Sequence, residues 1–150
     1  MSKSRLPFET TLLVRDTCLC LDAQRVARAL ARRFDDALRP LDITNRQFSL
    51  MTSLNRPQPP AMGDVADFLA MDRTTLTAAL KPLERRGLVS VTPNPADKRS
   101  RRLALTAAGH ALLLRAVPIW KRHHGQVEKH LGAMNADRLR EDLQFLTRLL

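Results

Sequence analysis

LTAALKPLERRGLVSVTPNPADKRSRRLALTAAG, Leu76 to Gly109, is the stretch on which the fold turns. Leu76, Leu80 and Leu83 stand at i, i+4 and i+7 with Ala79 beside them, the spacing of a helix that buries one face. Asp72, just upstream, is a good N-cap. Thr74, Thr77, Ala78, Lys81 and Arg85 gather on the opposite side of the helical wheel, and none of the five is an acid. An ordinary solvent face carries more Glu and Lys. Small, hydrogen-bonding residues with one or two long cations suit close approach to base edges and phosphates. Pro82 removes one backbone hydrogen bond from the last turn. Gly87 supplies the left-handed residue that ends the helix.

Downstream, LVSVTPN alternates apolar and polar residues as a half-buried strand does. PNPAD reads as a turn, and KRSRRLALT returns with Leu103 and Leu105 inward. The expected hairpin, Ser90 to Leu105, is basic. Lys98, Arg99, Arg101 and Arg102 fall within five residues, a costly crowding unless a polyanion relieves it. Asp97 is the one acid nearby and is expected to brace the tip by pairing with Arg99 or Arg101. Thr106 is placed to cap a long helix, Ala107 to about Leu131. Its Leu113, Val117, Trp120, His124, Val127 and Leu131 recur at spacings of 4 and 3, a heptad-like seam. Asn135 is expected to cap a last helix on which Leu139, Leu143, Leu146 and Leu150 repeat that spacing.

Upstream, a helix is predicted over Thr17 to Leu38, with Leu19, Ala23, Val26, Leu30, Phe34 and Ala37 on one face. Thr44 with Gln47 forms a capping-box pattern for a helix from Asn45 to Leu54. NRPQPP stops it, and a short helix follows from Gly63 to Leu69. The predicted class is mainly α with one small antiparallel β-hairpin. The seams on the terminal helices and the stripe of the first helix exceed what a small central domain can cover. They are read as a dimer interface, against the alternative of a monomeric bundle.

Composition agrees with a folded, anion-seeking chain. Of 150 residues, 44% are hydrophobic, and 25 Lys and Arg against 15 Asp and Glu leave a net charge of +10. That excess points to nucleic acid, or less often an acidic membrane surface. No apolar run reaches the ~18–20 residues needed to span a bilayer, and MSKSRLPFETTLLVRD is too broken by charge and proline for a secretory leader. Two cysteines without such a leader point to a reducing cytoplasm. There is no phosphate-binding loop, dinucleotide glycine pattern or nucleophile elbow, so no enzyme and no cofactor are expected. Cys18, Cys20, His110, His123, His124 and His130 match no common zinc spacing, and no metal is expected.

The order helix, helix, short helix, helix, basic hairpin, long helix, helix has a winged helix-turn-helix at its centre. The sequence resembles the MarR family of bacterial transcriptional regulators over about residues 15 to 150. Leu83, Glu84, Arg85, Arg86, Gly87, Leu88, Asp97, Arg99, Leu105, Thr106 and Gly109 match the family pattern in its most specific stretch. The resemblance implies one domain over 1–150, with a DNA-binding core at 41–106 and dimerisation helices at 10–40 and 107–150. It implies that the helix Arg73 to Arg86 enters the major groove of double-stranded DNA and that the hairpin is a wing reaching the minor groove through Arg99 or a neighbour. Arg73, Thr74, Thr77 and Ala78 are then the base-edge candidates. Lys81, Arg85, Lys98, Arg99, Arg101 and Arg102 supply phosphate contacts. A homodimer would read a palindrome with half-site centres ~34–36 Å apart.

Members of this family usually respond to a ligand or an oxidant. The resemblance places an effector pocket near Arg15, Cys18, Phe48, Met51, Trp120, and His123 or His124, although plain core packing is the commoner role for residues placed like Trp120 and Met51. Cys18 and Cys20, two apart on the predicted helix, point about 200° from each other. They stand as redox candidates or as inert packed thiols. The function expected is a ligand- or oxidant-responsive repressor. The alternative is a winged-helix module that binds RNA or protein.

Overall fold

The computed structural model describes residues 5–150, and the chain divides into two compact units, one up to Arg33 and one from Phe34 to Leu150. The reading of the leader rests in part on residues 1–4, which lie outside the described residues.

The first unit corrects the sequence reading. In place of one helix from Thr17 there are two, α1 (Phe8–Thr17) and α2 (Leu19–Leu38), whose last turns belong to the second unit. The chain breaks at Cys18, which is extended at φ −78° and ψ 102°. Thr17 Oγ1 donates to the Leu13 carbonyl at 2.7 Å and the Cys18 N–H donates to Val14 at 3.0 Å, closing α1. Cys18 then opens α2: its Sγ accepts the Leu21 N–H at 3.4 Å and its carbonyl accepts that of Asp22 at 3.1 Å. Cys18 and Cys20 therefore do not share a helix; one caps it and the other lies in its first turn.

In the second unit the leucines act as expected. Leu38, Leu50, Met51, Val65, Leu76, Leu80, Leu83 and Leu103 are almost wholly buried and form one core with Leu113 and Ala116. A single 3-10 turn, Arg39–Leu41, leads to Asp42, which is left-handed at φ 53°. α3 (Asn45–Ser53) starts with the full capping box: Thr44 Oγ1 accepts from Gln47 N–H at 3.1 Å, and Gln47 Oε1 accepts from Thr44 N–H at 3.0 Å. α4 (Met62–Phe68) and α5 (Arg73–Arg85) follow. β1 (Val89–Asn94) pairs antiparallel with β2 (Asp97–Leu105). The incoming chain adds a third short rung, because Ala61 bridges Arg102 and the Leu103 N–H donates to Pro60.

α6 (Ala107–Leu131) begins at Thr106, whose Oγ1 accepts the Gly109 N–H at 3.0 Å and donates to the Gly87 carbonyl at 2.6 Å. This double use ties the start of α6 to the end of α5. Gly109 lies against that tie so closely that a Cβ there would sit 2.0 Å from the Leu88 carbonyl oxygen. α7 (Ala133–Leu149) starts two residues before the expected cap. Gly132, at φ 79°, turns the chain, and the Asn135 side chain donates back to Leu131 in place of capping.

Candidate nucleic-acid interface

The outward face of α5 is set by what the helix buries. Leu76, Leu80 and Leu83 are at most 1% exposed, which fixes the helix's rotation. Arg73, Thr74, Thr77, Ala78, Lys81 and Arg85 then all face outward and are exposed. Asp72 caps the helix: one carboxylate oxygen accepts the Thr75 N–H at 2.7 Å and the other the Thr75 hydroxyl at 2.8 Å. These bonds, the backbone one foremost, hold its carboxyl below the ordinary aspartate range.

Two base-edge candidates have prior engagements. Thr77 Oγ1 donates to the Arg73 carbonyl at 2.7 Å and lies 3.7 Å from Met62 Sδ. Its donor is used within the protein, leaving its lone pairs and methyl group for a partner. The Arg73 guanidinium lies over Gly63, where a Cβ would stand 3.2 Å from Nη2. Arg73 thus leans on α4, while Thr74 and Ala78 are the small, outward pair.

The hairpin is braced from within. Asp97 accepts the Arg99 N–H at 2.9 Å, so it stiffens the tip through the backbone, and none of the described ion pairs joins it to Arg99 or Arg101. Asn94 Oδ1 accepts the Ala96 N–H and Arg102 Nε, each at 3.1 Å. Asn94, not singled out in the sequence, is therefore the other brace. The P-N-P-A-D turn was its signal, since Asn bonds its own backbone two residues on. Arg102 is half-buried in the hairpin's frame, which leaves Lys98, Arg99 and Arg101 as its exposed cations.

Three of the effector candidates meet within the second unit. Phe48 and Trp120 stack with centroids 6.3 Å apart, and His124 stacks on Trp120 at 4.6 Å. His124 Nε2 meets Glu128 at 3.1 Å. Glu128 also takes a hydrogen bond from Arg140 at 2.6 Å, which does most to hold its carboxyl below the ordinary glutamate range. Buried Nδ1 of the half-buried His123 has no hydrogen-bond partner among the described residues. Met51 is fully buried in the core, as packing requires. In the first unit, Arg15 pairs with its neighbour Asp16 at 2.5 Å, which raises its pKa, and Cys18 is the cap described above. Cys20 is exposed and accepts from Gln24 Nε2 at 3.2 Å. Among the described residues no three His, Cys, Asp or Glu side chains stand close enough to share a metal ion, and no helix is long and apolar enough to cross a membrane.

The sequence profile described as "MarR family" matches residues 43–100. The regulator HosA of Escherichia coli O127:H6 is 30% identical over 111 residues, covering 73% of this chain and 78% of HosA. The transcriptional regulator MosR of Mycobacterium tuberculosis, solved in complex with DNA, superposes with a TM-score of 0.80 at 37% identity, over 88% of this chain and 95% of MosR. The chain belongs to the MarR family. A mutant MarR of E. coli complexed with operator DNA is likewise similar, with a TM-score of 0.79 at 27% identity over 90% of this chain and 97% of that one. Some MarR-family relatives are matched over less of their length. The activatory protein BadR of Rhodopseudomonas palustris is 30% identical over 72% of this chain but only 62% of its own, and MarR of E. coli K12 is matched over 56% of its length. The MarR-family match carries the winged helix-turn-helix with it: α4 and α5 are the helix-turn-helix, and β1–β2 is the wing.

Proposed function

We propose that this chain is a cytoplasmic transcriptional regulator, a repressor, that binds a palindromic DNA operator as a homodimer and releases it on meeting a small molecule or an oxidant. The carrying observation is the exposed face of α5, where Thr74 and Ala78 stand among Arg73, Lys81 and Arg85, fixed by three buried leucines beside a wing whose exposed cations join none of the described ion pairs. Thr and Ala methyls suit thymine, and an arginine suits guanine. The wing's Lys98, Arg99 and Arg101 supply a phosphate attraction that salt screens. A chain of this family is read as a binder with no catalytic role.

Footprinting on the DNA around the chain's own gene tests the reading; a mirrored protected site is expected. Arg99→Ala should weaken operator binding and reduce the slope of log affinity against log salt by about 0.9 for each phosphate it leaves unneutralised. An unchanged affinity and slope in a mobility-shift titration would remove the wing from the interface. Binding to RNA hairpins without any protected duplex would favour an RNA-binding module instead.

The cap at Cys18 gives an oxidant, if one is the effector, a defined point of action. A hydroperoxide converts a thiolate to a sulfenic acid, itself becoming the alcohol. At Cys18 that change falls on the sulfur that opens α2. Hydroperoxide should release operator from the native protein and not from Cys18→Ser, whose hydroxyl keeps a capping oxygen. Equal release from both proteins would take Cys18 out of any such response.

A further inference from the structure

Between the start of α3 and the outward face of α5 runs a groove of about 470 Å³, lined by Thr44, Arg46 and Gln47 on one side and Thr74, Thr75 and Ala78 on the other. Among the described residues Arg46 is the only charged one lining it. It is exposed, sits in the first turn of α3 where there is no acid, and joins none of the described ion pairs. A cation at a helix N-terminus is disfavoured by the helix dipole, so its position asks for another reason.

The backbone that carries Arg46 is rigid. The Asn45 N–H donates to Asp35 at 2.7 Å, the capping box closes over the first turn, and Leu50 and Met51 are fully buried one turn on. At ~100° per residue, the wheel of α5 places Arg73, Thr77 and Lys81 along one edge of the Thr74–Ala78 face. Thr75, Ala79 and Pro82 lie along the other. The first edge carries two cations and the exposed Glu84; the second has no charged residue within α5, and Arg86, just past the helix end on that side, is taken up by the Asp42 carbonyl. This second edge is the one that borders Arg46. A helix in the major groove has phosphates along both rims, and contacts to them fix its register without reading sequence.

We infer that Arg46 holds a DNA backbone phosphate on the rim of the major groove opposite the one met by Lys81, making it a positioning residue of the interface. The inference rests on the DNA-binding reading above. The probe is a duplex selected from a randomised library by the native full-length protein, titrated at several salt concentrations. Native protein should select and bind a duplex; if it selects none, the DNA-binding reading itself fails. Arg46→Ala should bind the selected duplex more weakly, with a salt slope smaller by about 0.9 per copy of the chain bound. Its ranking of single base-pair variants of the site should match the native one. Arg46→Lys should restore most of the slope, because a phosphate needs only the charge. Native-like affinity and slope in Arg46→Ala would overturn the inference. So would an altered base preference that Arg46→Lys fails to restore, which would make Arg46 a base reader. Melting curves like the native one are expected of both variants, since Arg46 is exposed.

Discussion

Gly109→Ala should destabilise the winged unit by on the order of 3 kcal/mol or more, the upper range for overpacking against a fixed neighbour. The added methyl would sit 2.0 Å from the Leu88 carbonyl oxygen, 3.0 Å from its carbonyl carbon and 3.3 Å from Leu105 Cδ2. Something must move, and Leu88 has little freedom. Its N–H donates to Leu83 at 2.9 Å and its carbonyl accepts Thr106 N–H at 3.1 Å. Gly87 before it is left-handed at φ 67°, and its carbonyl is held by the Thr106 hydroxyl. Shifting α6 away would break the Thr106 bonds; shifting the strand would drag Val89 from the core, where it is 3% exposed. Each broken backbone bond costs about 1 kcal/mol on top of the steric penalty. Gly125, on the same helix, is the internal control. A Cβ there meets nothing within 4 Å, so Gly125→Ala should be neutral or gain up to ~1 kcal/mol from helix propensity. Denaturant unfolding of the two variants checks both signs. Equal midpoints would refute the close approach of α6 to Leu88.

The second large effect is expected at α7. Leu143→Asp with Leu146→Asp should abolish pairing of two copies and reduce operator affinity by ~10²-fold or more, the scale on which uncoupling two linked binding modules acts. Among the described residues α7 buries only Ala136, while Leu139, Leu143 and Leu146 remain 43%, 46% and 37% exposed. Phe145 and Leu149 widen the apolar stripe, at 57% and 65%. Helices owe most of their stability to packing of such a face, and little of this one is met within its own chain. A second copy of the same helix is the simplest cover, and it would set two reading heads a fixed distance apart. Sedimentation should give a pair for the native chain and a single subunit for the double variant. A variant that stays paired and binds operator normally would rule out α7 as the interface.

The parts of the fold that hydrophobic spacing controls were legible from residues alone. The leucines of α5, the Thr44–Gln47 box and the Thr106 cap each follow from a short-range rule, and each stands where that rule puts it. What was not legible depended on atoms or angles the usual rules omit. The break at Cys18 uses a sulfur as the capping acceptor, a residue absent from the preferred caps. The apolar residues of α1, Phe8, Leu12, Leu13 and Val14, spread around the helix, so it offers no single apolar stripe to recognise. The early start of α7 needed the positive φ of Gly132. On the reading face, the outward set was readable from the wheel, but the commitments of Arg73 to α4 and of Arg102 to Asn94 are long-range contacts that no local pattern reports.

The joint at Gly132 has a consequence of its own. One residue separates the last of α6 from the first of α7, and a hydrogen bond from Arg140 to Glu128 fastens the two helices just beyond it. With so little slack, the joint sets the phase of the second helix against the first. One inserted residue would swing the bearing of the leucine row by ~100°, leaving every leucine present and the row aimed elsewhere.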